Sequence, residues 1–536
     1  MEYKDYMNRI QQRLKEMSEE EKNRWIYHYV RVQPQNRRED ILNSLNFLHP
    51  VTKTFHQDEF YDFIEDVKDG NLQIPAYEEE TFDYGYDRDF ETYYSKNCEL
   101  LNQLNDYIDD AFQYVDSCQY QWAFDIFRNI QSLDYEYIMD YGDIYELSFQ
   151  ELFENDLVDI SIQKYSLYYL YTAFQLHFDI PQMYLYFNHS QVKYVFSDLM
   201  AFGPEEIILS EDEYKQWIAF LEKQPGVYAA KLLKDICLLY ENVHQLTKMA
   251  LKIGTQHPSL YLDIIENDLF NHQLEDARIV ASQAFEQLDE KLVIRSKIAE
   301  ILIPYFPDDQ KLYEIAFLSN PQVKSCLELY KLNCDVSSIK NTFFNIDYAR
   351  YSDTKDIEQK TATLTSVQKQ VLLFLLGDYK EVINKCQENQ NYLGWTLSLK
   401  GNMIPLLLMY LKPENIHYVA DDVIMRDLSQ MLMVDEKEFN QLFLFWKDKY
   451  IIDADFKKKC IQWLENEMDN RAEAIVGGTH RHSYYKVAKQ LVVLAEILYV
   501  NKKIISIDNF INNYIKKYSR KSAFKAEMLK YSGNLK

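Results

Sequence analysis

The chain has 536 residues, of which 47% are hydrophobic and 26% charged, with only 12 glycines and 12 prolines. Its formal net charge of −26 disfavours nucleic-acid backbones and anionic lipid surfaces as partners, because like charges repel. Sandwiches and barrels need many tight turns, so the scarcity of glycine and proline predicts long helices with short connections. We therefore expect an all-α fold with an ample hydrophobic core.

The tyrosines and cysteines bear on the surface of the protein and on its cellular compartment. The 44 tyrosines suit half-buried helix faces, although a tyrosine-rich recognition surface is an alternative. The seven cysteines form no C-x-x-C motif, and several lie in apolar helical patterns, as Cys237 does, so we expect reduced thiols in a cytoplasmic protein. The charged segment 1–17 predicts no secretory leader, and no apolar run reaches the length of a membrane span, so no membrane partner is expected.

The first part of the chain changes character near residue 70. Residues 1–69 are predicted to form an N-terminal helical segment, in which Ser18 and Glu21 have the spacing of a capping box. Residues 70–92 lose helical periodicity and are rich in acidic and aromatic side chains. We interpret 70–92 as an acidic linker. A docking segment for a basic peptide and a cation site are the alternatives, although no calcium-loop pattern is present.

Residues 93–344 are predicted to form a lobe of helical hairpins. In the clearest hairpin, at 105–130, apolar residues recur at helical spacing on both sides of a polar turn. A second hairpin is expected at 258–288, where regularly spaced alanines allow close helix packing. The pairs Ser148–Glu151 and Ser210–Glu213 have capping-box spacing and predict two further helix starts.

A second polar stretch precedes the last third of the chain. Residues 345–365 are predicted to be a polar linker that separates two lobes. Residues 366–536 are predicted to form a C-terminal helical lobe, which opens with a hairpin at 366–386 and ends in a basic tail beyond Asn501. For the tail we expect a solvated amphipathic helix paired with the acidic body; contact with nucleic acid or with a partner protein are the alternatives.

Two segments resemble a known helical repeat. Gly377–Ile383, GDYKEVI, resembles the Gly-Asp-Tyr-x-x-Ala-Ile turn of tetratricopeptide repeats, with Val382 in place of the usual alanine. Cys118–Phe124, CQYQWAF, is similar and keeps the alanine. Because the hairpins lack the regular period of about 34 residues, the resemblance implies a divergent, irregular α-solenoid of stacked hairpins.

Three further segments resemble a group of uncharacterised bacterial helical-repeat proteins: Leu393–Trp395, His480–Ala488 and Ala523–Leu529. Some members of that group are associated with SWIM-type zinc fingers. The SWIM pattern of two close cysteines followed by Cys-x-His does not occur in this sequence. The resemblance therefore implies no zinc site, and it brings no function with it.

The best candidate site is the cluster His480, Arg481, His482 and Lys486 at a predicted helix start. Cationic side chains and free helix amides there suit an anion or an acidic peptide. A helix-entry loop with purely structural roles and a metal site are the alternatives, but two histidines alone do not complete a metal site. The sequence contains no Walker A, G-x-G-x-x-G, G-x-S-x-G or H-E-x-x-H motif, and we expect no cofactor and no metal.

These observations favour a non-enzymatic scaffold or adaptor whose helical-repeat surface binds a protein or peptide. The acidic surface favours a basic partner. The alternative is an enzyme or nucleic-acid-acting factor with an unrecognised site near 478–486, with nucleic-acid contact otherwise confined to the basic tail. A self-assembling structural protein is a third possibility.

Overall fold

A computed structural model describes most of the chain and divides it into two compact units, Met1–Met249 and Ala250–Lys536. The described residues are 3–34, 37, 41, 55–81, 89–189, 191–192, 194–241, 243–348, 356–388, 393–395 and 397–533. Helices dominate both units, so the expectation of a mostly helical protein is confirmed.

The first unit combines helices with a small sheet. Its elements, in chain order, are α1 (Tyr3–Glu16), α2 (Glu19–Arg31), α3 (Gln57–Lys68), β1 (Ile74–Thr81), β2 (Asp89–Tyr94), α4 (Glu99–Asp116), α5 (Tyr120–Gln131), β3 (Asp134–Met139), β4 (Ile144–Ser148), α6 (Phe149–Glu154), α7 (Ile162–Gln175), α8 (Ile180–Phe187), α9 (Phe196–Met200), α10 (Glu211–Leu221) and α11 (Val227–Tyr240). Helix α12 (Val243–Ile253) begins in this unit and ends in the next.

The four strands form one sheet in the order β2-β1-β3-β4. The β1–β2 and β3–β4 pairs are antiparallel, whereas β1 and β3 are parallel and the hairpin α4–α5 lies between them in sequence. Side chains alternate between the two faces of a strand. On one face Ile74, Tyr135 and Leu147 are buried, and helix α3 contacts β3. On the other face Tyr77, Tyr93 and Glu146 are exposed, whereas Glu136, which accepts a hydrogen bond from Gln73 at 2.6 Å, is half-buried.

The second unit is helical throughout its named elements. These are α13 (Ser259–Phe270), α14 (Leu274–Gln287), α15 (Val293–Leu302), α16 (Gln310–Ser319), α17 (Val323–Lys331), α18 (Val336–Asn345), α19 (Ser366–Leu375), α20 (Tyr379–Gln387), α21 (Leu399–Leu411), α22 (Val419–Met431), α23 (Glu436–Lys449), α24 (Ala454–Ala472), α25 (Tyr484–Val500), α26 (Ile507–Lys517) and α27 (Ser522–Tyr531). A π-helical turn, Glu473–Gly477, and a 3₁₀ turn, Arg481–Ser483, separate α24 from α25. One continuous cluster of buried apolar side chains extends from Val293 to Tyr531.

The predicted hairpins share one kind of turn. The hairpins predicted at 105–130, 258–288 and 366–386 are confirmed as α4–α5, α13–α14 and α19–α20. In each turn one residue has a left-handed backbone, with φ between 58° and 100°: Cys118, His272 and Gly377. The amide after it donates to a carbonyl five residues earlier, as Gln119 does to Tyr114 at 2.8 Å. This bond satisfies carbonyls that a helix end leaves unpaired.

The all-α prediction is wrong where the sheet forms. Strands β1 and β2 occupy about half of the predicted linker 70–92, and its residues 82–88 lie outside the described part of the chain. Strands β3 and β4 lie at 134–148. The acidic side chains of these segments lie largely at exposed positions, so their composition resembles that of a polar linker. The side chains on the opposite face of the strands are nevertheless packed.

The predicted linker at 345–365 lies within the second unit, whereas the two units divide between Met249 and Ala250. Its described residues are packed: the hydroxyl of the buried Tyr348 donates to the carbonyl of Leu318 at 2.6 Å, and Glu358 is also buried. The amide of Val293 donates to the carbonyl of Lys360 at 2.9 Å. Contacts with residues distant in sequence thus fix the described part of 345–365, although the composition of this segment is polar.

Several local predictions are confirmed. Capping boxes form at all three predicted positions, at the starts of α2, α6 and α10. The basic tail forms α26 and α27; Lys503 pairs with Glu465 at 2.5 Å and Lys517 with Glu473 at 3.7 Å, as the amphipathic interpretation requires. Within the described residues, no helix is long and apolar enough to cross a membrane.

Candidate functional site

The structure separates the four residues of the predicted cluster. His480, Arg481 and His482 are exposed on the turn between α24 and α25, where Thr479 has a left-handed φ of 64°. Lys486 lies one helical turn further on and lines a cleft. Among the described residues, no group of three or more histidine, cysteine or acidic side chains is arranged to hold a metal ion.

The cleft of the second unit is a cavity of about 430 Å³ between α21, α22 and α25. We call it the lysine cleft. The residues that define its chemistry are Trp395, Gly401, Asp427, Tyr485, Lys486, Lys489 and Gln490. Helix α25 supplies four of these because positions 485, 486, 489 and 490 follow one another on one side of a helix. Only Lys486 was among the residues expected from sequence.

The two lysines lie over the aromatic walls of the cleft. The Nζ atom of Lys486 is 5.3 Å from the centroid of the Trp395 ring, and that of Lys489 is 5.4 Å from the centroid of the Tyr485 ring. Lys489 donates to Asp427, and its side chain is otherwise buried. Within the described residues Lys486 forms no ion pair. Two lysines and one aspartate therefore give the cleft a positive charge in a strongly acidic chain.

Acceptor groups lie beside these lysines. Gln490 is only 6% exposed, and its Oε1 atom is buried with no hydrogen-bond partner among the described residues. Pro405 also lines the cleft and has no N–H to donate to the carbonyl of Gly401, four residues earlier on α21. A buried acceptor without a donor costs roughly 1–3 kcal/mol. Gln490 is therefore a residue of the cleft wall whose buried amide oxygen has no donor among the described residues.

Arg471 packs on the ring of Trp395 and binds the backbone just before it. The Nη2 atom of Arg471 donates to the carbonyls of Leu393 and Gly394, at 2.6 and 2.8 Å, and the side chain is fully buried. Burial lowers the pKa of Arg471 to about 10, although the nearby Glu467 acts in the opposite direction. Because this pKa still lies well above neutrality, the guanidinium remains charged and keeps both hydrogen bonds.

A second cavity adjoins the lysine cleft. It measures about 390 Å³ and shares Met431 with the cleft. Its lining mixes two kinds of side chain: aliphatic ones, among them Val323, Leu364, Val367, Leu372 and Leu432, and polar ones, namely Asn320, Gln322, Lys324, Thr363, Gln368 and Asn402. This second cavity is therefore no more apolar than the lysine cleft.

A different surface stands out in the first unit. The exposed face of the sheet carries Tyr77 and Tyr93, which are directly opposite each other on β1 and β2. Their rings are stacked with centroids 5.5 Å apart and an interplanar angle of 17°. Two residues away on the same face, Glu79 and Glu91 are also directly opposite each other. We call these four residues, with Glu136 and Glu146, the acidic sheet face.

Glu136 and Glu146 extend this face across the sheet. They are directly opposite each other on β3 and β4, and the strand registers place them on the same side as Tyr77. The hydroxyl of Tyr93 donates to Glu91 Oε2 at 2.9 Å, and this bond is the main cause of the raised pKa of Tyr93. Opposed carboxylates destabilise a sheet. The face therefore carries negative charge that its own pairing does not neutralise.

The sequence contained part of the signal for these sites. The basic cluster predicts Lys486 as a site residue, and 70–92, predicted to be an acidic linker, has a docking segment for a basic peptide as its alternative interpretation. Trp395, Asp427 and Gln490 were missed, because they converge only through the packing of α21, α22 and α25. The chain matches no family model, no curated protein and no solved structure.

Proposed function

We propose that the protein is a non-enzymatic interaction scaffold that binds basic peptide segments of a partner protein on the acidic sheet face. The observation that carries this proposal is the exposed Tyr77–Tyr93 stack flanked by the directly opposed Glu79 and Glu91. Tyrosines bind well at interfaces because they bring large contact area at a low cost in conformational entropy. Arginine or lysine side chains suit this surface, since they can lie over the rings and pair with the carboxylates.

Charge supports the same partner. Of the eleven face positions 75, 77, 79, 91, 93, 134, 136, 138, 144, 146 and 148, none is lysine or arginine and five are acidic. A basic ligand relieves the repulsion between Glu79 and Glu91, and between Glu136 and Glu146, so part of its binding free energy comes from charge that is unfavourable in the free protein. The net charge of the chain also steers basic partners toward it.

The proposal includes the divergent tetratricopeptide-like character expected from sequence. Three antiparallel hairpins with the same left-handed turn support it: α4–α5, α13–α14 and α19–α20. We infer that such hairpins act as an irregular α-solenoid framework, a class whose members bind peptides. In this protein the framework of the first unit holds the sheet whose outer face we assign to the partner.

The test is a titration of the full chain with a fluorescein-labelled arginine- and lysine-rich peptide, followed by anisotropy. Tyr77→Ala is expected to weaken binding about tenfold, as is the double variant Glu79→Gln/Glu91→Gln. Tyr499→Ala controls for loss of an equally exposed tyrosine, since Tyr77 and Tyr499 are both 45% exposed. Glu275→Gln/Glu286→Gln removes the same charge from exposed positions of α14.

The controls decide between a site and a general charge effect. If both glutamate double variants weaken binding equally, the peptide responds only to net charge and the acidic sheet face is not the binding site. If Tyr77→Ala and Tyr499→Ala bind like the wild type, the tyrosine stack plays no part. Either result contradicts the proposal.

A further inference from the structure

We propose that the acidic sheet face binds helix α2 of a second copy of this chain, so that the protein associates with itself. The inference rests on the proposed function, because it takes the acidic sheet face as a site for basic segments and names one such segment within the chain. Each copy carries both surfaces, so two copies can join through two equivalent contacts and close as a symmetric dimer.

Helix α2 is an unpacked helix with exposed aromatic side chains. None of its 13 residues is buried, although Trp25 and Tyr29 are among them. Their rings are stacked, with centroids 5.9 Å apart and an interplanar angle of 24°. A helix of this length is only marginally stable in water without tertiary packing, even with its capping box at Ser18. We therefore expect a partner surface to cover α2.

Helix α2 opens a basic segment in an acidic chain. Residues 22–38 contain five lysines and arginines and no aspartate or glutamate, although acidic residues outnumber basic ones by 84 to 58 in the whole chain. Arg24 pairs with Glu20 of its own helix at 3.1 Å on an exposed surface, where such a pair contributes little. Arg31 forms no ion pair within the described residues. Both arginines are therefore available to carboxylates of another surface.

The side chains of α2 form two adjacent rows. Each row has the i, i+4, i+7 spacing that places side chains along one side of a helix. The basic row is Arg24, His28 and Arg31, and the apolar row is Trp25, Tyr29 and Val32. Side chains three or four positions apart on a helix, such as those of Trp25 and His28, are about 5–6 Å from each other. The helix thus presents a basic row directly beside an apolar one.

The acidic sheet face has a matching arrangement. The stacked rings of Tyr77 and Tyr93 lie two residues along the strands from the opposed Glu79 and Glu91, and all four residues are exposed. Two residues of a strand span about 6.6 Å, which is close to the separation of the two rows on α2. With the apolar row over the tyrosine rings, the basic row faces the carboxylates. The contact therefore joins ring to ring and positive charge to negative charge.

Charge favours a second copy over a lipid surface as the partner of α2. A basic amphipathic helix also suits an anionic membrane. However, the net charge of −26 repels such a membrane from the rest of the chain, whereas the same charge attracts the basic helix of another copy.

The test is sedimentation velocity of the full chain at a series of concentrations in low salt, where we expect an equilibrium between monomer and dimer. The charge reversals Arg24→Glu/Arg31→Glu and Glu79→Lys/Glu91→Lys are each expected to weaken the dimer about tenfold. An equimolar mixture of the two variants is expected to restore it, because each reversed surface then meets one of opposite charge. A change of net charge alone does not produce this restoration.

Two controls match these variants. Lys516→Glu/Lys525→Glu makes the same charge change as the α2 variant at exposed positions of the second unit, and it is expected to leave the dimer unchanged. Trp25→Ala is expected to weaken the dimer about tenfold. Tyr27→Ala, which removes an exposed ring of the same helix that belongs to neither row, is expected to have no effect.

A chain that stays monomeric at every concentration overturns the inference, as does a dimer that survives both charge reversals. Flotation of a monomeric chain with phosphatidylglycerol vesicles, abolished by Trp25→Ala, also overturns it, since α2 would then serve a lipid surface.

The labelled basic peptide distinguishes failure of this inference from failure of the proposed function. If the peptide binds a chain that stays monomeric, the acidic sheet face serves an external partner and only the self-association is wrong. If the mixture restores the dimer but the peptide does not bind Arg24→Glu/Arg31→Glu, whose sheet face is free, the self-association stands and only the external partner is wrong.

Discussion

The guanidinium carbon of Arg471 lies 4.2 Å from the centroid of the Trp395 ring. The same guanidinium donates to the carbonyls of Leu393 and Gly394, so one buried side chain fixes both the backbone and the ring at the edge of the lysine cleft. Arg471 does not itself line the cleft. It is therefore a positioning residue, which acts on a ligand only through Trp395.

Arg471→Lys is expected to lower the free energy of unfolding by about 2 kcal/mol, because an ammonium cannot both stack on Trp395 and hold two carbonyls in the plane of a guanidinium. Arg295→Lys is the control: Arg295 also lies over an aromatic ring, that of Phe285, and donates to the carbonyl of Leu288 at 2.9 Å. Urea unfolding is the measurement.

Both arginine variants are expected to lose stability, but Arg295→Lys is expected to lose less, because Arg295 donates to one carbonyl and Arg471 donates to two. An equal loss in the two variants would show that the second hydrogen bond and the close contact with Trp395 do not contribute.

Stability is expected to depend on pH through Glu496. This side chain is fully buried, and burial raises its pKa far above the ordinary value of 4.5; the nearby Asp421 adds to the rise, and Lys412 opposes it. The folded state therefore retains a proton that the unfolded state releases. The resulting stability is fully present below about pH 4.5, decreases as pH rises, and is lost as pH passes the folded-state pKa.

Glu496→Gln removes this titration. The wild type is expected to lose up to about 1.4 kcal/mol of unfolding free energy per pH unit through the neutral range, and the variant is expected to show a flatter profile. Urea unfolding at pH 5, 7 and 9 measures it, with Glu436→Gln at an exposed position as control. Parallel profiles for the wild type and Glu496→Gln would contradict the assignment.

The left-handed turns of the hairpins are expected to respond oppositely to two substitutions. Gly377 has φ of 100°, and nothing lies within 4 Å of the position that a Cβ atom would occupy. Gly377→Ala is therefore expected to cost about 1–2 kcal/mol from backbone strain alone. His272 has φ of 60° and is exposed, so His272→Gly is expected to stabilise the chain by about 0.5 kcal/mol after the entropy of the unfolded state is counted.

Thermal unfolding of both variants tests this pair. A stabilising Gly377→Ala would mean that the turn at 376–378 relaxes to a right-handed backbone. That change would break the hydrogen bond that the Asp378 amide donates to the carbonyl of Leu373 at 2.9 Å.

Neutralising the opposed glutamates is expected to stabilise the first unit. Glu79 and Glu91 are directly opposite each other, so Glu79→Gln/Glu91→Gln should raise the free energy of unfolding by about 0.2–1 kcal/mol. The gain should shrink in high salt, which screens the repulsion. Urea unfolding at low and high ionic strength is the measurement. A loss of stability in low salt would show that the two carboxylates support the sheet and are not held there for a ligand.

The sequence by itself determined the helical hairpins and their starts. The capping boxes at Ser18, Ser148 and Ser210 and the apolar periodicity of 105–130 are local signals, carried by residues three or four positions apart. Such signals act within one helix, so they can be read without knowing what the helix packs against.

Only the tertiary structure decided the sheet, the boundary between the units and the two candidate surfaces. The parallel pairing of β1 with β3 joins Ile74 to Tyr137, and the lysine cleft joins Trp395 to Gln490. These pairs depend on packing between elements far apart in the chain. For the same reason, Glu79 and Glu91, which belong to the predicted solvated linker at 70–92, lie on the exposed face of a packed sheet. Composition shows which residues are polar. Whether those residues form a linker or one face of a sheet depends on whether the side chains of the opposite face are buried.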